Sequence, residues 1–181
     1  MSKLLWITIV ALLVMPAVGA VQASDKVKVI ENGGRTVTFT ADVPMERTGY
    51  GSPWHYSHAI RAGDFVYISG VIIGAYGDDE LPISADLFRE RTEEVFEVIQ
   101  RNLATANASL AGMVKINTYH LLDGKNSSLT IDEQALVIAE TKAKYAVEPH
   151  PAWTAVGTTG LFSPRGIVEI EMVVLAPLTK E

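Results

Sequence analysis

Cysteine is absent from all 181 residues, which excludes disulfides, thiol nucleophiles and thiolate metal ligands together. Stability must then come from packing and from association of chains. Basic residues are also scarce: 15 Lys and Arg face 21 Asp and Glu, a formal charge of −6. Affinity for nucleic-acid phosphates comes chiefly from Lys and Arg, so no nucleic-acid partner is expected. The chain has no internal repeat and no low-complexity tract, and its length suits one globular domain with a real core. Histidines number four, and the one suggestive spacing, His55-x-x-His58, places residues three apart on opposite faces of an extended segment. Neither a metal nor a cofactor is expected.

What is present begins with a targeting segment. Lys3 is followed by an apolar run over residues 4–15, broken by Pro16, and Val18-Gly19-Ala20 and Val21-Gln22-Ala23 each end in small residues of the kind a signal peptidase reads. Residues 1–23 are expected to be a cleaved secretory signal, with Ala20 as the alternative cleavage point. An uncleaved anchor is the competing reading, but the run is short for a span of about 20 residues. No cysteine follows it, so a lipoprotein anchor is excluded. The mature chain is expected to be periplasmic or secreted, without a stable membrane anchor, and more acidic by the one lysine it loses.

Residues 27–30 and 36–40 are β-prone and flank Asn32-Gly33-Gly34, which predicts a hairpin; with the Pro- and Gly-broken stretch that follows, residues 24–49 form an N-terminal extension. Residues 50–181 form the domain proper. Gly63-Asp64 turns between two strands, residues 65–68 are a buried strand, Gly70 ends it, and residues 74–81 form an exposed acidic loop. Phe88, Val95, Phe96, Ile99, Leu103 and Ala106 recur at helical spacing within 84–107. A strand over 113–122 follows. Thr130-Ile131-Asp132-Glu133 carries a capping-box pattern and opens a second helix to about residue 145, stopped by Pro149 and Pro151. Two strands close the chain. This order predicts an α+β fold, one mixed sheet with both helices on one face.

The final strand is where chemistry is to be sought. Val168, Ile170 and Met172 alternate with Glu169 and Glu171, so one face is core and the other carries two carboxylates. Paired glutamates on a strand are ordinarily solvated surface; a carboxylate at the end of a buried strand is otherwise paired or functional. Ser57 and Ser69 sit in no nucleophile elbow and read as ordinary strand serines.

Several blocks, in order, resemble the Rid family, also called the YjgF-like or L-PSP endoribonuclease family. They are Tyr56-Ser57-His58-Ala59, Gly63-Asp64-Phe65-Val66-Tyr67-Ile68-Ser69-Gly70, Val114-Lys115-Ile116-Asn117-Thr118-Tyr119, Pro151-Ala152-Trp153-Thr154-Ala155-Val156 and Val168-Glu169-Ile170-Glu171. The resemblance implies a chorismate-mutase-like twisted sheet assembled as a homotrimer, with small-molecule clefts between subunits. Active members hydrolyse enamines and imines to 2-keto acids and ammonia. On this resemblance Glu169 positions or activates water, Tyr56 is the cleft tyrosine, and Ser69 with Gly70 faces the ligand. The family arginine that clamps a substrate carboxylate is replaced here by Trp153, which offers an aromatic wall and one N–H instead of a planar cationic fork. A retuned hydrolase or deaminase, preferring apolar, aromatic or cationic ligands, and a non-catalytic binding or scaffold protein are both compatible with that exchange. Arg165, in the turn Ser163-Pro164-Arg165-Gly166, is either a second ligand anchor or a solvated loop residue.

Overall fold

The computed structural model describes residues 27–40, 53–122 and 124–178. The expected signal at 1–23 and residues 41–52 of the expected loop lie outside them. The elements follow the expected order: β1 (Val27–Asn32), β2 (Arg35–Thr40), β3 (Ala59–Ala62), β4 (Phe65–Gly74), α1 (Ala85–Thr105), a short 3-10 turn (Leu110–Gly112), β5 (Met113–Leu121), α2 (Ile131–Ala143), β6 (Ala152–Thr158) and β7 (Gly166–Leu175).

Both helices begin where their caps demand. The Ser84 hydroxyl accepts from Leu87 N at 3.2 Å, and Thr130 and Glu133 form a reciprocal capping box that satisfies two otherwise orphaned amides. Helix α1 gives way to Asn107 in the left-handed region, at φ 52°, which ends the helical ladder. Its inner stripe, Phe88, Val95, Phe96, Ile99 and Leu103, is buried against Val168, Ile170, Met172 and Val174 of β7 and Ile116 of β5 in one core. Each such side chain contributes roughly 1.5–3 kcal/mol of burial.

The sheet runs β1-β2-β3-β4-β7-β5-β6. Every pairing is antiparallel except β5 with β6, which is parallel because α2 carries the chain back across the sheet between them. The last strand in the chain thus becomes a central one, between β4 and β5. Both helices cover one face. The other carries Glu169, Glu171 and Val173 of β7 beside Lys115, Asn117 and Tyr119 of β5, with Phe65, Tyr67 and Leu175 about 40% exposed.

Two expectations about local structure change. Gly70 does not end its strand: the ladder shifts register between Ile68 and Val71, and β4 runs on through this bulge to Gly74. Loop 74–81 is not simply exposed, for Asp79 is drawn down onto α1 by Arg91.

The hairpin β1–β2 turns at Gly33 and Gly34, both at positive φ. It joins the sheet through two residue pairs, Arg35 with Ala62 and Thr36 with Arg61, and the Thr38 carbonyl accepts from the Thr105 hydroxyl at the end of α1.

Candidate functional site

The bulge at Ser69-Gly70 and the carboxylate of Glu169 form one local structure. Register pairs Glu169 with Ile72 on one side and Tyr119 on the other, and its carboxylate folds back over the Gly70 α-carbon. A β-carbon at Gly70 would meet Glu169 Oε1, so any larger residue there displaces the Glu169 carboxylate from this position. Ser69 anchors the bulge: its hydroxyl donates to the Ser57 carbonyl at 2.6 Å and its amide to the His58 carbonyl at 2.9 Å.

Glu169 is half-buried and makes no hydrogen bond or ion pair among the described residues. Desolvation raises its pKa, and the nearby charge of Glu171 raises it further. Glu171, two residues on, is satisfied instead: one oxygen accepts from Asn117 Nδ2 at 2.6 Å and from the Tyr119 hydroxyl at 3.1 Å. One carboxylate of the pair is therefore held in place and the other is left available. The Tyr119 phenol is pushed up, first by its bond to Glu171.

The remaining expected site residues do not all converge. Tyr56 is exposed and packs edge-on against His58, with ring centroids 5.3 Å apart. Trp153 lies in parallel register beside Ile116, a core residue on the helix side, so its indole turns away from the Glu169 face. Its N–H donates to Thr118 Oγ1 at 3.0 Å, and the Lys142 ammonium of α2 sits 4.5 Å from the ring centroid. Within one chain Trp153 does not wall the Glu169 site. Arg165, expected as either a second ligand anchor or a solvated loop residue, is half-buried and donates to the Asp79 carbonyl, which directs its guanidinium to loop 74–81.

Residues that sequence reasoning passed over line a separate space, next to Gly70 and against α1. A cavity of about 440 Å³ lies between the bulge and α1, lined by His58, Gly70, Val71, Tyr76, Val95 and Val98, with Ile72, Glu94 and Asn102 also on its wall. Tyr76 is held by its hydroxyl bond to the Ile72 carbonyl and by the Arg91 guanidinium, 5.4 Å above its ring. Arg91 in turn bonds both Asp79 and Glu94. The i,i+3 spacing of Arg91 and Glu94 was legible; the reach to Asp79 across twelve residues was not.

A second buried network supports Trp153. Thr118 Oγ1, which accepts the indole N–H, lies 2.9 Å from His120 Nε2, and His120 Nδ1 lies 3.0 Å from Gln134 Oε1. Gln134 Nε2 donates to the Leu129 carbonyl. Gln134 Oε1 can only accept, so His120 Nδ1 carries the proton, and Nε2 of the neutral ring accepts from the Thr118 hydroxyl. Burial lowers the His120 pKa, in keeping with that form.

A twisted seven-stranded sheet with two helices on one face, and a glutamate laid over a glycine bulge beside a cavity, defines a chorismate-mutase-like α+β protein with a ligand-sized cleft. The chain belongs to the Endoribonuclease L-PSP family, the YjgF/Rid family, whose model matches residues 51–176. It is 35% identical over 121 residues to the mitochondrial protein Mmf1 of Saccharomyces cerevisiae, covering 67% of this chain and 73% of that one. The RutC family protein YjgH of Escherichia coli is 27% identical over 122 residues, covering 67% and 85%. Among solved structures, yeast Mmf1 superposes with a TM-score of 0.50 at 30% identity over 67% of this chain and 86% of its own. RidA from an Antarctic Psychrobacter bacterium gives 0.50 at 28% identity, covering 66% and 87%. In general terms this membership supports a small-molecule-binding or deaminase-like protein. The hairpin β1–β2 lies outside the matched residues.

Proposed function

We propose that the chain is an exported, trimeric Rid-like hydrolase of carbon–nitrogen double bonds, with a specificity altered from that of relatives carrying the family arginine. The observation that carries this reading is Glu169: half-buried, raised in pKa and without a hydrogen bond or ion pair among the described residues, it is a carboxyl suited to a proton that comes and goes. In the step we envisage, water adds to the carbon of a protonated imine while the Glu169 carboxylate takes a water proton. That proton passes to nitrogen, the C–N bond breaks, and a carbonyl compound and ammonium leave. Gly70 supplies the clearance for Glu169, and Glu171, fixed by Asn117 and Tyr119, supplies a negative field that favours a cationic iminium.

Trp153 supports the altered specificity, since an indole turned to the helix layer offers no fork for a carboxylate. The same observation favours a second reading, a periplasmic binding or scaffold protein that kept the fold and lost the chemistry. The deciding assay uses residues 24–181 with freshly generated amino-acid imines and measures 2-keto acid release beside Trp153→Arg and Glu169→Gln. Silence relieved by Trp153→Arg supports a retuned catalytic cleft, and Glu169→Gln added to that variant should cost at least about a hundredfold. Silence in the unmodified chain and in Trp153→Arg favours the binding or scaffold reading. Ready turnover by the unmodified chain overturns the claim that Trp153 removed the family reaction.

A further inference from the structure

The uncovered face of the sheet holds a second cavity, of about 240 Å³, just below the size of drug-sized pockets. Pairing register lays out its walls in rows. Ile60, Tyr67, Val173 and Lys115 stand side by side across β3, β4, β7 and β5, and Glu171 and Asn117 form part of the next row. One wall is therefore aliphatic and aromatic, with Tyr67 44% exposed. The other end bears charge of both signs. Lys115 is exposed on β5 and makes no hydrogen bond or ion pair among the described residues, so it is not joined to Glu171. Glu171 spends a single oxygen, Oε1, on Asn117 and Tyr119, and its Oε2 has no bond among those residues. Asn117 Oδ1, on the same wall, is buried and lacks a donor. An ammonium and a carboxylate oxygen thus border one small space without neutralising each other by contact.

We propose that this cavity binds a free amino acid, as the zwitterion, with an apolar or aromatic side chain. Lys115 takes the ligand carboxylate as a point charge, Glu171 Oε2 takes its ammonium, and the ligand side chain covers Ile60, Tyr67 and Val173. A ligand with both charges is matched at both ends. An acid or an amine of the same shape desolvates one of the two protein charges and leaves it without a partner. The apolar side chain adds burial of surface that the bare sheet leaves in water. Val173, opposite Lys115, is four residues from Glu169, about 13 Å along β7, so the pocket is offset from the contact of Glu169 with Gly70. The proposal concerns binding alone and stands whether or not Glu169 turns a substrate over.

Calorimetry on residues 24–181 with three ligands of one phenylethyl skeleton tests this: L-phenylalanine, phenethylamine without the carboxylate, and 3-phenylpropanoate without the ammonium. L-Phenylalanine should bind at least tenfold tighter than either analogue, a comparison that needs no variant. Lys115→Gln, at an exposed strand position, should weaken L-phenylalanine at least tenfold and leave phenethylamine no weaker. Glu171→Gln should weaken L-phenylalanine likewise and leave 3-phenylpropanoate no weaker. Sedimentation accompanies each titration, because association of chains through this face would cover the cavity. Equal affinity for the three ligands, or L-phenylalanine binding indifferent to Lys115→Gln, overturns the proposal. Absence of binding overturns it at either mass; in a chain that sediments as a trimer it means that the partner chain fills the space.

Discussion

Glu169 and Glu171 differ by two positions on one strand face, yet their surroundings set them to different work. Glu171 accepts from an amide and a phenol; Glu169 gains no donor among the described residues and is penalised for its charge. The linkage has a definite sign. A carboxyl whose folded pKa is raised binds its proton more tightly in the native state, so its contribution favours folding at acid pH and is lost as pH rises from about 4.5 through the folded value. At neutral pH Glu169 is therefore a destabilising residue, the pattern expected where function and stability compete. Glu169→Gln, which removes the charge at nearly constant volume, should melt higher than the unmodified protein at pH 7. The advantage should shrink as pH falls towards 4, in a melting series run across that range. An equal gain at every pH would mean that the carboxylate is not penalised in the fold.

The elements are joined by side chains whose partners are far apart in sequence. The chain of hydrogen bonds from Trp153 on β6 through Thr118 and His120 on β5 to Gln134 on α2 ties the edge strand to the helix that precedes it. His120 is fully buried, and desolvation holds its pKa below the usual value near 6.5. Its neutral form is the folded one, so stability is fully present above about pH 6.5 and declines as pH falls through that value towards the folded pKa. Replacing Thr118 by valine keeps the shape and strands both the indole N–H and His120 Nε2. It should cost about 1–3 kcal/mol in denaturant unfolding and shift the Trp153 emission, while Glu169-dependent turnover on a common substrate keeps its pH profile. A change in that profile would show that the two networks are one.

At the scale of the whole molecule, the two faces of the sheet are unequal. One is covered by α1 and α2; the other leaves Phe65, Tyr67 and Leu175 about 40% exposed around the acidic pair. A monomer that keeps such aromatic area in water forgoes burial worth about 25 cal/mol per Å². We expect association through this face as the trimer proposed above, with mature chains sedimenting at three times the chain mass and Tyr67→Glu shifting the equilibrium towards monomer. A monomer at micromolar concentration would set the trimer aside.

The order of elements was legible because it depends on near neighbours. Alternation along β7, the apolar spacing of α1 and the Thr130–Glu133 cap are patterns of adjacent residues, and each marks its element whatever lies opposite. The ordered blocks around Gly70, Trp153 and Glu169 carried the family in the same way. The structure alone could decide that β7 lies between β4 and β5, that β4 passes through a bulge instead of stopping at Gly70, and that Trp153 turns to the helix side. It also brought Arg91 back to Asp79 and Arg165 down onto that residue's carbonyl. These follow from pairing register and from contacts between distant segments. Such choices are made by the burial of the whole sheet against both helices, which no window of local sequence contains.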